Sequence, residues 1–298
     1  MMILTRSQAL ACMVARDGHR LEPRLTADGT LAIPDSVATH PRYSDLSAVF
    51  ATATTGPVAS WAYEGSAIVV DDKQMTMNNM RKSYSLTNPS GDVFRMEVRA
   101  NDGPLRTDLF NNNRRSEIVS DPNSGWSAGQ TFWQSWATIL GPHPGLVLTD
   151  IPQRFGYVMQ IHSGLSSRPP ICVVNMAQNA LRVYTNSDAA APTFGFTERY
   201  SGALPAQGAV SRFVTAITPG ENGHLSVWLN GTQIVDTDLP MGYYNTQSGP
   251  IAYPQWGIYT RNWNTSDVVY HANIEWGSTS LAARITAPLA VPDLSPWN

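Results

Sequence analysis

Phe94-Arg95-Met96-Glu97-Val98-Arg99 alternates apolar and charged side chains with a strict period of two. On a β-strand that period sends Phe94, Met96 and Val98 to one face and Arg95, Glu97 and Arg99 to the other. Working outward, the same kind of signal recurs. Tyr157 to His162, Ile171 to Met176, Ala180 to Thr185, Arg212 to Ile217, Leu225 to Leu229, Ile258-Tyr259 and Val268 to Trp276 all read as strands. A tight turn is expected near Gln178-Asn179, and Asn230-Gly231 is the strongest two-residue hairpin signal in the chain. Gln130 to Ile139 fits either a short turn of helix or a further strand, and helical periodicity is otherwise almost absent. Many antiparallel strands with long loops predict an all-β protein: a β-jelly-roll sandwich of two antiparallel sheets with a concave groove, plus an N-terminal arm.

Residues 1–56 read as that arm, or as a small anchoring segment, with turn dipeptides at Asp17-Gly18 and Asp28-Gly29. Residues 57–282 form the expected jelly-roll domain. Residues 283–298 are a Pro-rich C-terminal tail that lies over the surface or reaches a partner.

Charged residues make up 14% of the 298 residues and aromatics 9%, with nine Trp, which favours an ordered strand-rich protein. A net charge of −3 offers no general attraction to nucleic acid or to an anionic membrane, so neither is expected as a partner. No apolar run is long enough to span a bilayer. A polyanion would have to be drawn by local positive charge, which Arg95, Arg99, Arg106, Arg114 and Arg115 are placed to supply. Cys12 and Cys172 are too few for a disulfide framework, and Cys172 reads as a buried free thiol. Met1 to Arg16 lacks the basic start and long apolar stretch of a signal peptide. An extracellular or virion-associated location is nevertheless the expectation, with export by another route or carriage on a larger particle.

Three short pieces carry the chemistry: Arg114-Arg115-Ser116-Glu117, Gln160-Ile161-His162 and Trp256-Gly257-Ile258-Tyr259. As strands, they place Arg115 with Glu117, Gln160 with His162, and Gln255 and Gly257 with Tyr259 on shared faces. Side by side, they gather a guanidinium, an amide, an imidazole and a phenol. That set suits removal of a proton beside a carboxylate and expulsion of a leaving group from the neighbouring carbon.

At these residues the chain resembles the jelly-roll polysaccharide lyases, the group holding heparinase-I-like, glucuronan and alginate lyases. Arg115-Ser116-Glu117 is similar to the arginine-(Ser/Ala)-Glu motif. Gln160-Ile161-His162 follows, then Val227-Trp228-Leu229-Asn230-Gly231. Tyr253-Pro254-Gln255-Trp256-Gly257-Ile258-Tyr259 is similar to the Tyr-Phe-Lys-x-Gly-Ile-Tyr pattern. The resemblance covers about residues 60–280 and departs at Gln255, where the family often has lysine; Arg261 lies close in sequence.

The resemblance implies a lyase that cleaves a uronate-containing acidic polysaccharide by β-elimination, with no cofactor. Arg115 and Gln160 would neutralise the carboxylate. His162 would be the base, and Tyr259 the acid, or in some stereochemical settings both. Glu117 would orient an arginine. Arg95, Glu97, Arg99, Gln255 and Arg261 are the candidate substrate-binding residues. No hydrolytic pair of carboxylates stands out.

Each residue has a plainer reading. Gln160 and His162 are also compatible with a structural strand, Arg115 with a structural pair to Glu117 or Glu97, and Tyr259 with a packed aromatic. Arg114 points to the other face and reads as a solvent residue. His271, Asn273 and Glu275 alternate like a metal site, but a solvated strand face is the expectation and no metal is assigned. Asp71-Asp72 and Asp102 leave room for a structural calcium. The rival function is a non-catalytic glycan-binding protein, or a phage capsid-decoration or tail protein, attached to a larger particle through the N-terminal arm or the C-terminal tail.

Overall fold

The computed structural model describes the backbone at 2–4, 24–25, 31–33 and 59–61, then residues 67–78, 82, 84–90, 92–100, 102, 113–121, 125–142, 155–163, 165, 168–188, 195–245, 251–261 and 265–292. Strands β1 (Met2–Leu4), β2 (Arg24–Leu25) and β3 (Leu31–Ile33) pair as a small sheet of their own in the order β1-β3-β2. Most of the expected arm, including Cys12, lies outside the described residues.

The chain continues through β4 (Ala59–Trp61), β5 (Ala67–Val70), β6 (Lys73–Asn78), β7 (Leu86–Ser90), β8 (Val93–Val98), β9 (Asn113–Ser120) and β10 (Phe132–Leu140). Next come β11 (Gly156–His162), β12 (Cys172–Ala177), β13 (Ala180–Thr185), β14 (Thr197–Ala203) and β15 (Val210–Thr218). Then follow β16 (His224–Leu229), β17 (Thr232–Asp238), β18 (Tyr253–Arg261), β19 (Asp267–Gly277) and a single turn of helix, α1 (Ala283–Thr286). Two eight-stranded antiparallel sheets result. The front sheet runs β14-β13-β12-β11-β18-β9-β6-β5, and the back sheet β17-β16-β15-β10-β19-β8-β7-β4. This is the expected jelly-roll sandwich, and residues 130–139 join it as strand rather than helix.

Alternation explains the core. Phe94, Met96 and Val98 of β8 are almost wholly buried between the sheets, as are Trp256 and Ile258 of β18. Trp136 of the back sheet stacks on Phe213 at 4.9 Å and meets Trp256 of the front sheet edge-on at 6.4 Å. Trp256 in turn lies 5.4 Å from Trp276. Hairpins close where two successive residues take positive φ: Asp71-Asp72, Gln178-Asn179 and Asn230-Gly231. Asp71-Asp72 is therefore a turn. Its first carboxylate is engaged by Lys73 and the Trp276 N–H, while Asp102 accepts from the Tyr84 hydroxyl and the Arg99 N–H. Neither supports the calcium reading. Cys172 is a buried free thiol whose pKa burial pushes up to about 12.

Two expectations change. Arg114 is fully buried rather than solvated, because its face of β9 is the face turned to the other sheet. Its guanidinium donates to the carbonyls of Arg99 and Thr265. Burial lowers its pKa, and the nearby charges of Asp267 and Asp102 oppose that shift. His271 is also buried and does not share a face with Asn273 and Glu275. A bulge at Asn273 (φ 53°), where the register against β10 slips, turns the second half of β19 over.

His271 ties the two sheets together. The Trp136 indole donates to Thr138 Oγ1 at 3.0 Å, Thr138 lies 3.2 Å from His271 Nδ1, and His271 Nε2 lies 3.1 Å from the Gly257 carbonyl. A carbonyl only accepts, so Nε2 carries the proton and Nδ1 accepts from Thr138. Burial lowers the His271 pKa to about 4, partly offset by the bond to Gly257. An unfolded histidine titrates near 6.5, so below that pH the unfolded chain binds a proton that the folded chain refuses. Stability therefore falls from about pH 6.5 to about pH 4, by roughly 3 kcal/mol from this group. Urea midpoints measured across that window should fall more steeply for the parent than for His271→Gln; parallel slopes would contradict the assignment.

Candidate active site

The outer face of the front sheet is set by the register of three neighbouring strands. On β18 against β9, Tyr259 faces Arg115, Gly257 faces Glu117 and Arg261 faces Asn113. On β18 against β11, Gln255 faces Gln160, Tyr253 faces His162 and Tyr259 faces Tyr157. The register of β11 slips between Tyr157 and Met159 against both neighbours, and Val158 and Met159 both enter the core. That bulge brings Tyr157 to the same face as Gln160 and His162.

Gly257 keeps the centre of this face open. A Cβ there would press into the Ser116 carbonyl and lie 2.6 Å from Glu117 Cα, so no other residue fits so close to β9. The bare backbone leaves a gap between the side chains of Tyr259 and Gln255, directly beside Glu117.

Glu117 is the hub. Only 1% of its side chain is exposed; one oxygen takes Arg115 Nη1 at 3.2 Å, and the other accepts from Gln160 Nε2. A buried carboxylate needs such partners, and holding them fixes both donors in place. Arg115, 14% exposed, lays its guanidinium 4.1 Å over the Tyr259 ring. The Asn113 amide donates to the Tyr259 oxygen at 2.6 Å, which turns the phenolic hydrogen away from Asn113.

His162 is half-buried, with Nδ1 2.6 Å from the Ser163 carbonyl. Nδ1 is therefore the protonated nitrogen, and Nε2 carries the basic lone pair. Burial lowers the His162 pKa; the Ser163 bond opposes this, and the charge of Arg115 adds to the lowering. The ring is neutral at pH 7. Tyr253, 5.7 Å away ring to ring, has its pKa raised to about 12 by burial and by Glu117, against the pull of Gln255 and Arg115. The phenol of Tyr253 stays protonated. Gln255 is 4% exposed, and its Oε1 has no hydrogen-bond partner among the described residues. An unsatisfied buried oxygen beside this cluster is open to a ligand hydroxyl.

An aromatic platform continues the face past Tyr259. Phe155 stacks on Tyr157 at 4.6 Å and approaches Tyr259 at 5.1 Å, and Phe196 bridges Tyr157 and Tyr184 at 6.0 Å from each. Arg261 sits 6.0 Å over Phe155.

The polysaccharide lyase family model matches residues 81–275, more than half of the 298-residue chain. The chain belongs to that family. Among solved structures, it is similar to the endo-β-1,4-glucuronan lyase of the fungus Trichoderma reesei, at 15% identity and TM-score 0.48, over 76% of this chain and 96% of that one. It is also similar to the family 7 alginate lyase A1-II′, crystallised with product, at 13% identity and TM-score 0.50, over 66% of this chain and 84% of the other. The second likeness shows the shared fold. No curated protein sequence matches the chain.

Within this lyase-family fold, Arg115, Gln160, His162, Tyr259, Gln255 and Arg261 share one face. Arg95, Glu97 and Arg99 do not. Arg95 and Glu97 lie on the outer side of β8 in the back sheet and Arg99 just past its end; Arg95 pairs with Glu97 at 2.5 Å, Arg99 also reaches Glu97, and Arg99 covers the Tyr84 ring at 3.7 Å. These three therefore stand apart from the cluster on the front sheet, because period-two alternation assigns a face within a strand but not the sheet. Asn113, Tyr253, Tyr157 and Phe155 join the site without having been singled out. Asn113 precedes Arg115 by two, and Tyr253 precedes Gln255 by two, so the same alternation marked both. Tyr157 was hidden by the bulge. Among the described residues no cluster of three or more His, Cys, Asp or Glu is placed to hold a metal ion, and no helix is long and apolar enough to cross a membrane.

Proposed function

We propose that the chain cleaves a uronate-containing acidic polysaccharide by β-elimination on the outer face of the front sheet. The observation that carries this reading is the convergence of Arg115, Gln160, His162 and Tyr259 around the buried carboxylate of Glu117. A sugar ring seated over Gly257 would turn its carboxylate toward Arg115 and the second amide hydrogen of Gln160. Neutralising that charge acidifies the C5 hydrogen, since the electrons released flow toward the carboxylate. Neutral His162 takes the proton at Nε2, the C4–C5 bond becomes double, and the C4–O bond breaks. Tyr259 gives its phenolic proton to the departing oxygen. The products are a new hydroxyl end and an unsaturated uronate. Gln255 offers its Oε1 to a sugar hydroxyl where the family often carries a cation, and the aromatic platform from Tyr259 to Tyr184 suits the apolar faces of adjoining sugars.

The reading is tested by incubating the protein with alginate, polyglucuronate, heparin and hyaluronate while following the ultraviolet absorbance of the unsaturated product. Absorbance should rise with at least one of these uronate polymers. A folded protein that leaves all of them unchanged overturns the reading.

A further inference from the structure

A cavity of about 440 Å³ lies on the outer face of the back sheet, on the opposite side of the sandwich from the site above. We propose that it is a second binding site for an acidic sugar; its choice of ligand rests on the reading just given. Small residues make the room: Ser135 and Ala137 of β10 form the floor, with Arg212 of β15 and Trp228 of β16 as walls. The segment after β19 forms the roof. It is pinned by Arg284 to both oxygens of Glu275, at 2.7 and 2.8 Å, and by Asn273 Nδ2 to the Ala290 carbonyl at 2.9 Å.

The charge of this cavity comes from one residue. Arg284 is neutralised by Glu275, whereas Arg212 has no carboxylate partner among the described residues, and its buried Nε has no hydrogen-bond partner there. A buried N–H left without an acceptor is unfavourable until a ligand supplies one, and a guanidinium fork matches a carboxylate. Trp228 lies half-buried and stacked in parallel on Trp133 at 6.0 Å, a flat apolar surface of the kind that sugar rings cover. Leu289, 38% exposed, adds apolar surface from the roof. One cation beside an indole calls for a ligand with one carboxylate and an apolar face, and the volume falls within the usual range of about 300–1,000 Å³ for small-ligand sites. A polymer held here stays at high local concentration near the front sheet.

The experiment uses Tyr259→Phe protein, so that ligands survive, with tetrasaccharides of glucuronate, mannuronate and guluronate, and neutral cellotetraose as control. At least one uronate should bind at two sites, and one site should shift the indole N–H signals of Trp228 and Trp133 in nitrogen–proton spectra. Arg212→Met should weaken that site at least tenfold and leave the other intact. Ala137→Leu, which fills the floor without touching the guanidinium, should do the same. An unmoved Trp228 signal, two intact sites in both variants, or equal binding of cellotetraose overturns the proposal. Arg212-dependent binding in a protein whose parent cleaves no uronate polymer would uphold this site and sink the functional reading. Cleavage with single-site binding that ignores Arg212 would do the reverse.

Discussion

Replacing His162 by alanine should lower the release of unsaturated uronate by roughly 10²- to 10⁴-fold, the usual worth of a positioned general base, and Tyr259→Phe should fall in the same range for loss of the acid. Both side chains are half-buried on an open face, so their removal should leave the fold nearly as stable as the parent. The pH dependence separates the roles. Nε2 of His162 works only when unprotonated, and its pKa lies below the ordinary 6.5 because burial and the Arg115 charge disfavour the cation. The parent rate should therefore rise with pH through a limb centred below 6.5 and level off above it. His162→Ala should lose that limb; Tyr259→Phe should keep it. A His162→Ala enzyme with parental rate, or a limb centred above 6.5, would remove the imidazole from the mechanism.

Arg115→Met should cost activity and stability through different routes. Loss of a donor to the developing charge lowers kcat by roughly 10²- to 10³-fold. It also takes the arginine partner away from Glu117, whose carboxylate is almost wholly buried and still accepts from the Gln160 amide. Breaking one side of a buried ion pair costs about 3–5 kcal/mol, since the remaining charge is left without compensation. Adding Glu117→Gln to Arg115→Met should restore most of the melting temperature, because a neutral amide tolerates the same place. It should not restore kcat. Recovery of both, or of neither, would show that Glu117 does not hold the guanidinium in the way described.

The faces of β9, β11 and β18 were readable from residue order. Arg115 with Glu117, Gln160 with His162, and Gln255 with Tyr259 follow from the two-residue repeat of an extended chain, a local property that needs no partner strand. The buried apolar sets Phe94-Met96-Val98 and Trp256-Ile258 are legible on the same ground, and they decide the sandwich. Strands at or near the sheet edges were harder. β7, with Pro89 inside it, and the largely exposed β14 carry little alternation to read.

Residue order alone therefore determined strand, face and the family's motif set. Only the assembled sheets decided which strands became neighbours: Phe94–Arg99 has as clean a repeat as the site strands, yet it pairs with β19 on the far side. Pairing is a long-range choice, and nothing within a strand encodes its neighbour. The same holds where a bulge turned Tyr157 toward the site and His271 into the core, and where the inward face of β9 carried Arg114 into the interior. One inserted residue reverses every face beyond it, and the energy that favours the insertion comes from packing against the other sheet.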